Sequence, residues 1–146
     1  DGRLDEARVW LARMEPVDGT FRTPLYRGLI AQAEGDREGA MAVWEQMCRD
    51  WPGEWSVWWS MGDVMARAGR YGEAKERYRR AFELQPAPKY VDSLESIAQV
   101  CQLEGDIPGA IAALEEEVAV LAEQWDTRTG ETVDKVRREI ARLKAL

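Results

Sequence analysis

The sequence predicts an all-α chain, a stack of antiparallel helix pairs coiling as an α-α superhelix, and three observations carry that prediction. A Gly followed five residues later by an Ala recurs at Gly2/Ala7, Gly35/Ala40, Gly69/Ala74 and Gly105/Ala110, with successive glycines 33, 34 and 36 residues apart. A fixed period of this size marks a repeat protein, and 34 residues is the length of a helix–turn–helix unit. Between these marks apolar residues fall at spacings of three and four, the period of an amphipathic helix. No stretch shows the strict alternation of a strand, and no low-complexity segment interrupts the pattern.

Each element follows from this register. Residues 1–19 read as the second helix of a truncated repeat, with an apolar stripe at Leu4, Ala7, Leu11 and Met14 and a stop at Pro16. The chain is accordingly expected to be a piece of a longer protein. Residues 21–54 form the first full repeat: Thr23-Pro24 reads as an N-cap with Pro in the first turn. Gly28, Gly35, Ala40, Trp44 and Pro52 stand 34 residues before Gly62, Gly69, Ala74, Tyr78 and Pro86 of the second repeat, residues 55–88. In each, one Gly allows two helices to approach closely, the next ends the first helix in the left-handed region, and Pro stops the second helix.

The third repeat, residues 91–125, follows a two-residue insertion around Ala87-Pro88. It keeps Leu94, Ile97, Ala98, Gly105, Ala110 and Leu114 but has Glu117 where a small residue is expected, and it lacks the closing Pro. Its second helix is expected to run on to about Trp125 with a solvated outer face, and Glu115-Glu116-Glu117 to lie on such a face. After a loop at 126–130, residues 131–146 form a helix with Val133, Val136, Ile140 and Leu143 on one side and charge on the other, the pattern of a terminal cap. The expected total is eight helices.

Over residues 55–88 the positions Trp58, Met61, Gly62, Met65, Ala74, Tyr78, Ala81 and Pro86 resemble the tetratricopeptide pattern W-x2-L-G-x2-Y … A-x3-F … P, with Met for Leu and for the first Tyr. The resemblance extends more weakly over residues 1–124. It implies a right-handed superhelical solenoid whose first helices line a concave groove for a peptide or a partner helix. On this register the groove residues are Leu25 and Leu29 of the first repeat, Trp59, Asp63 and Arg67 of the second, and Glu95 and Gln99 of the third. Trp58 takes the family's packing position, while Trp51 and Trp55 are expected in the inter-repeat turn. The chain has no Asn, so the resemblance does not extend to members that use Asn and Lys to clamp the acidic C-termini of heat-shock chaperones.

Composition narrows the chemistry. With 27 acidic and 20 basic residues the net charge is −7, which disfavours a phosphate backbone as ligand and favours a neutral to basic protein or peptide. There is no His, hence no Ser-His-Asp or Cys-His catalysis within the chain, and no glycine-rich phosphate loop. No catalytic residue, cofactor or metal site is expected, and no membrane span. Cys48 and Cys101 lack metal-ligand spacing and are expected as buried thiols of a reducing, cytoplasmic compartment. The leading reading is a protein-interaction module. The alternatives are the sensing or dimerising half of a bacterial transcriptional regulator, and a self-association scaffold dimerising through an exposed N-terminal edge.

Overall fold

The computed structural model describes residues 2–14 and 21–146, and Pro16 lies outside them. The described residues form eight helices: α1 (Gly2–Met14), α2 (Arg22–Ala33), α3 (Arg37–Asp50), α4 (Trp55–Arg67), α5 (Tyr71–Leu84), α6 (Asp92–Glu104), α7 (Ile107–Gln124) and α8 (Glu131–Lys144). Each helix packs on the next in sequence, which makes α2–α3, α4–α5 and α6–α7 three hairpins in a row.

The turns inside the hairpins are near copies. Gly35, Gly69 and Gly105 have φ of 79°, 76° and 85°, the left-handed region that a side chain resists. Around each, the Gly N–H bonds the carbonyl three residues back and the following N–H the carbonyl five back, as in Asp36 to Ala31, Arg70 to Met65 and Asp106 to Cys101 at 2.9, 2.9 and 2.8 Å. This is the Schellman closure of a helix C-terminus. Gly2 differs from the other three: it begins α1 within the helix and is not among the left-handed glycines.

The second helices start in two ways. Asp36 and Asp106 cap α3 and α7, each carboxylate accepting from the N–H of the Gly three residues on at 2.9 Å, the geometry of a side-chain N-cap. At the same register α5 carries Arg70 and Glu73, joined by an exposed ion pair. The start of α2 departs from expectation. Thr23 does not cap it; the helix begins after Phe21, and Thr23 is buried in the first turn with its hydroxyl unpartnered among the described residues. Phe21 packs edge-on against Trp51, ring centroids 5.7 Å apart, and that burial draws the helix start forward.

Close approach inside the hairpins follows the glycines. A Cβ on Gly28 would lie 2.3 Å from the Trp44 ring and one on Gly62 2.7 Å from the Tyr78 ring. Trp44 and Tyr78 are 0% and 3% exposed, so neither ring has room to yield. Two core clusters result, one around Trp44, Met47, Val57 and Met61, the other running from Met65 and Tyr78 through Leu94 and Leu114 to Leu143.

Trp58 is half-buried rather than central, its ring flanked by the guanidinium groups of Arg77 and Arg80 at 5.4 and 5.9 Å, while Val57 beside it is fully buried. Trp51 does pack at the turn, but Trp55 reaches past it to Tyr90, which in turn meets Trp125.

Glu117 overturns the expectation of a solvated face. Met47, Ala81 and Glu117 occupy one register position on α3, α5 and α7, and all three are 0% exposed. The position is covered by the next helix in each case, and α8 does for α7 what a further repeat would do. Glu115 and Glu116 do face outward, pairing with Lys144 and Arg79 at 2.7 and 2.8 Å.

Candidate functional site: the face of the first helices

Helices α2, α4, α6 and α8 stand side by side, and side chains bridge each neighbouring pair. The Gln32 amide of α2 donates to Asp63 of α4. The Trp59 indole N–H of α4 donates to Ser96 Oγ of α6 at 3.2 Å, and Ser96 donates on to the Asp92 carbonyl. Arg142 of α8 donates to Gln102 of α6 at 2.9 Å. The second helices are bridged separately, as by Arg79 of α5 to Glu116 of α7. Two rows of helices therefore lie back to back, with the apolar clusters between them.

Four of the seven candidate residues are open on the first row: Leu29, which is 42% exposed, and Arg67, Glu95 and Gln99. Leu25 turns partly inward against the Trp44 cluster. Trp59 is half-buried, tilted on the Tyr78 ring at 6.0 Å, with its N–H engaged by Ser96. Asp63 is also engaged, accepting from Gln32 and from the Arg67 Nε at 3.0 Å. Burial first, and then the Asp63 charge, push the Tyr78 hydroxyl up to about 12, so it stays protonated behind this face.

Leu25, Leu29, Trp59, Asp63 and Arg67 gather on α2 and α4. Glu95 and Gln99 lie further along, on the wall of a cavity of about 360 Å³ between α6, α7 and α8 that is also lined by Glu117, Glu131, Lys135, Val136 and Glu139. Sequence reasoning missed these last five as a group. The signal for Glu117 was present in the register, since Met47 and Ala81 hold the same position. The contributions of α8 carried no such signal, because its docking angle is set by tertiary packing.

Of the two cysteines expected as buried thiols, Cys101 is buried and Cys48 only half-buried. Burial raises the Cys48 and Cys101 thiols above their ordinary range, which disfavours the reactive thiolate, and both are free. Among the described residues no cluster of His, Cys, Asp or Glu is placed to hold a metal ion, and no described helix is long and apolar enough to cross a membrane.

No protein-family model matches the chain, and no curated protein matches it. Among solved structures, the TPR2B domain of yeast Sti1, in its complex with pHsp70, is similar over 97% of this chain and 98% of that one, with a TM-score of 0.63 at 15% identity. At this identity the likeness is one of fold. Together with the eight helices and the three repeated Gly turns, it shows that the chain adopts the tetratricopeptide-repeat fold, an all-α array of antiparallel hairpins.

Proposed function

We propose that the chain is a protein-interaction module that holds a neutral to basic protein segment along the face of α2, α4 and α6. The observation that carries this reading is the bridged row of first helices, which turns Met61, Met65, Leu94 and Ile97 inward to the core and leaves Leu29, Arg67, Glu95 and Gln99 open on one surface. The Sti1 domain whose fold it shares is in a complex with pHsp70, which supports use of this fold for holding a protein partner. On this reading Leu29 and the exposed flank of Trp59 provide apolar contact. Glu95 and Gln99 provide polar contact, and Asp63, with Gln32 and Arg67, holds α2 and α4 in register beneath the ligand.

A displayed peptide library selected on the wild-type chain tests this. Enriched peptides are expected to be neutral to basic and to lose about tenfold in affinity on Leu29→Glu or Trp59→Ala, the scale of an interface anchor. Unchanged affinity in both variants would move the site elsewhere.

A second reading, an edge-to-edge homodimer, is favoured by Val9 and Trp10 on α1, 51% and 62% exposed, with Tyr26 of α2 at 47%. Exposed apolar side chains grouped at one end of a solenoid favour pairing. Sedimentation equilibrium showing a strict monomer at high concentration would remove it.

A further inference from the structure

Glu117 is 0% exposed, and neither of its carboxylate oxygens meets a hydrogen-bond donor among the described residues. It lines the cavity between α6, α7 and α8. A buried carboxylate with no donor is costly, and the neighbouring charges do not relieve it. From α6, Glu95 and Asp92 face it; from α8, Lys135 opposes them. Glu131 and Glu139 line the same wall, and Glu139 is already taken by Arg142 at 2.6 Å. Glu95, Glu117 and Glu131 therefore share the cavity with Lys135, the one cation lining it among the described residues. Lys135 sets one ammonium against three carboxylates and donates no hydrogen bond to Glu117, so the wall keeps negative charge that a second ammonium or a guanidinium would offset. The volume of about 360 Å³ lies within the range of small-ligand pockets.

We propose that the cavity between α6, α7 and α8 is a subsite for one organic cation, the head of an Arg or Lys side chain, held at the wall by Glu95 and Glu131 and attracted by the charge of Glu117 buried behind them. That the cation arrives on a protein segment rests on the groove reading above; the cation chemistry stands on the cavity alone. Burial, and then Glu95 and Asp92, raise the Glu117 carboxyl to about 7. Below that pH a bound cation must displace the Glu117 proton to solvent, so binding strengthens as pH rises through 7. Lys135 competes for the same carboxylate.

The test titrates N-acetyl-arginine amide into the 15N-labelled chain at low salt and follows amide shifts on α6 and α8. Saturable millimolar binding is expected, about tenfold tighter at pH 8 than at pH 6, as the ionised fraction of a group with this pKa rises from about a tenth to about nine tenths. Glu117→Gln keeps the volume and removes the charge; it should fold and lose both the binding and its pH dependence. Lys135→Gln should bind several-fold tighter. Retained binding in Glu117→Gln, or no saturable shift in the wild type at pH 8, overturns the proposal. Equal shifts with calcium chloride alone would overturn it in favour of a metal site. Probe binding in a chain that selects no peptides, or selected peptides in a chain that binds no probe, separates failure of the groove reading from failure of this one.

Discussion

The first two hairpins and the third share one register but are built differently. In α2–α3 and α4–α5 a Gly lies against an aromatic ring, Gly28 on Trp44 and Gly62 on Tyr78. In α6–α7 the same places hold Ala98 and Leu114, both buried. A wide ring needs a bare backbone opposite it; a branched aliphatic side chain leaves room for one methyl. The position beneath the following helix varies more sharply, from Met47 to Ala81 to Glu117, with no change in burial. Position in the solenoid, not residue type, decides what is buried there. Where the sequence places a carboxylate, the fold buries a carboxylate and shifts its proton affinity instead.

Four predictions probe that difference, from the largest effect downward. The Glu117 carboxyl is raised from 4.5 to about 7 in the folded chain, so the folded state holds a proton that the unfolded chain has released. Its stabilising contribution is therefore complete below about 4.5 and is lost as pH rises to about 7, by roughly 3 kcal/mol in total. Exposed Glu73 and half-buried Glu139 are held low by Arg70 and Arg142 and act with the opposite sign at more acid pH. The measured quantity is thus the difference between wild type and Glu117→Gln in urea unfolding from pH 5 to 8. A difference that does not change with pH would refute the assignment. Glu117→Met, copying Met47, should be more stable than wild type at pH 8 by about 2 kcal/mol.

Next, Gly28→Ala should cost about 2 kcal/mol by overpacking against Trp44. Adding Trp44→Leu, which copies the Ala98/Leu114 pairing, should give a double variant more stable than the sum of the single changes by 1 kcal/mol or more; strict additivity would break the comparison. Ala98→Gly in the third hairpin should lose only about 1 kcal/mol, the propensity cost of Gly in a helix. The smallest contrast concerns the helix starts. Asp36→Ala should cost about 1 kcal/mol by removing a cap, whereas Arg70→Ala, which breaks only an exposed ion pair, should leave the unfolding midpoint unchanged.

The repeat was legible because its chemistry is local. Gly at a left-handed turn and small residues at close crossings are requirements of the backbone, and they recur at a fixed spacing whatever the partner. The start of α2 was not legible, because Thr23-Pro24 is a sound local cap signal that the packing of Phe21 on Trp51 overrides. The engagements of the candidate residues on α2 and α4 were not legible: that Asp63 would bond Gln32 and Trp59 would bond Ser96, 31 and 37 residues away, depends on how one hairpin is rotated on the next. For Glu117, reading charge as exposure misled where the register did not.

The sequence by itself determined the helices, their pairing and the period of the stack, since turn conformation and helical periodicity act over a few residues. Only the tertiary structure decided that α8 takes the place of a next repeat, that Glu117 lies sealed beneath it, and that a cavity lined with carboxylates opens between α6, α7 and α8. Those outcomes depend on the angle at which one amphipathic face settles on another. That angle is set by many weak contacts at once, and no short stretch of the sequence encodes it.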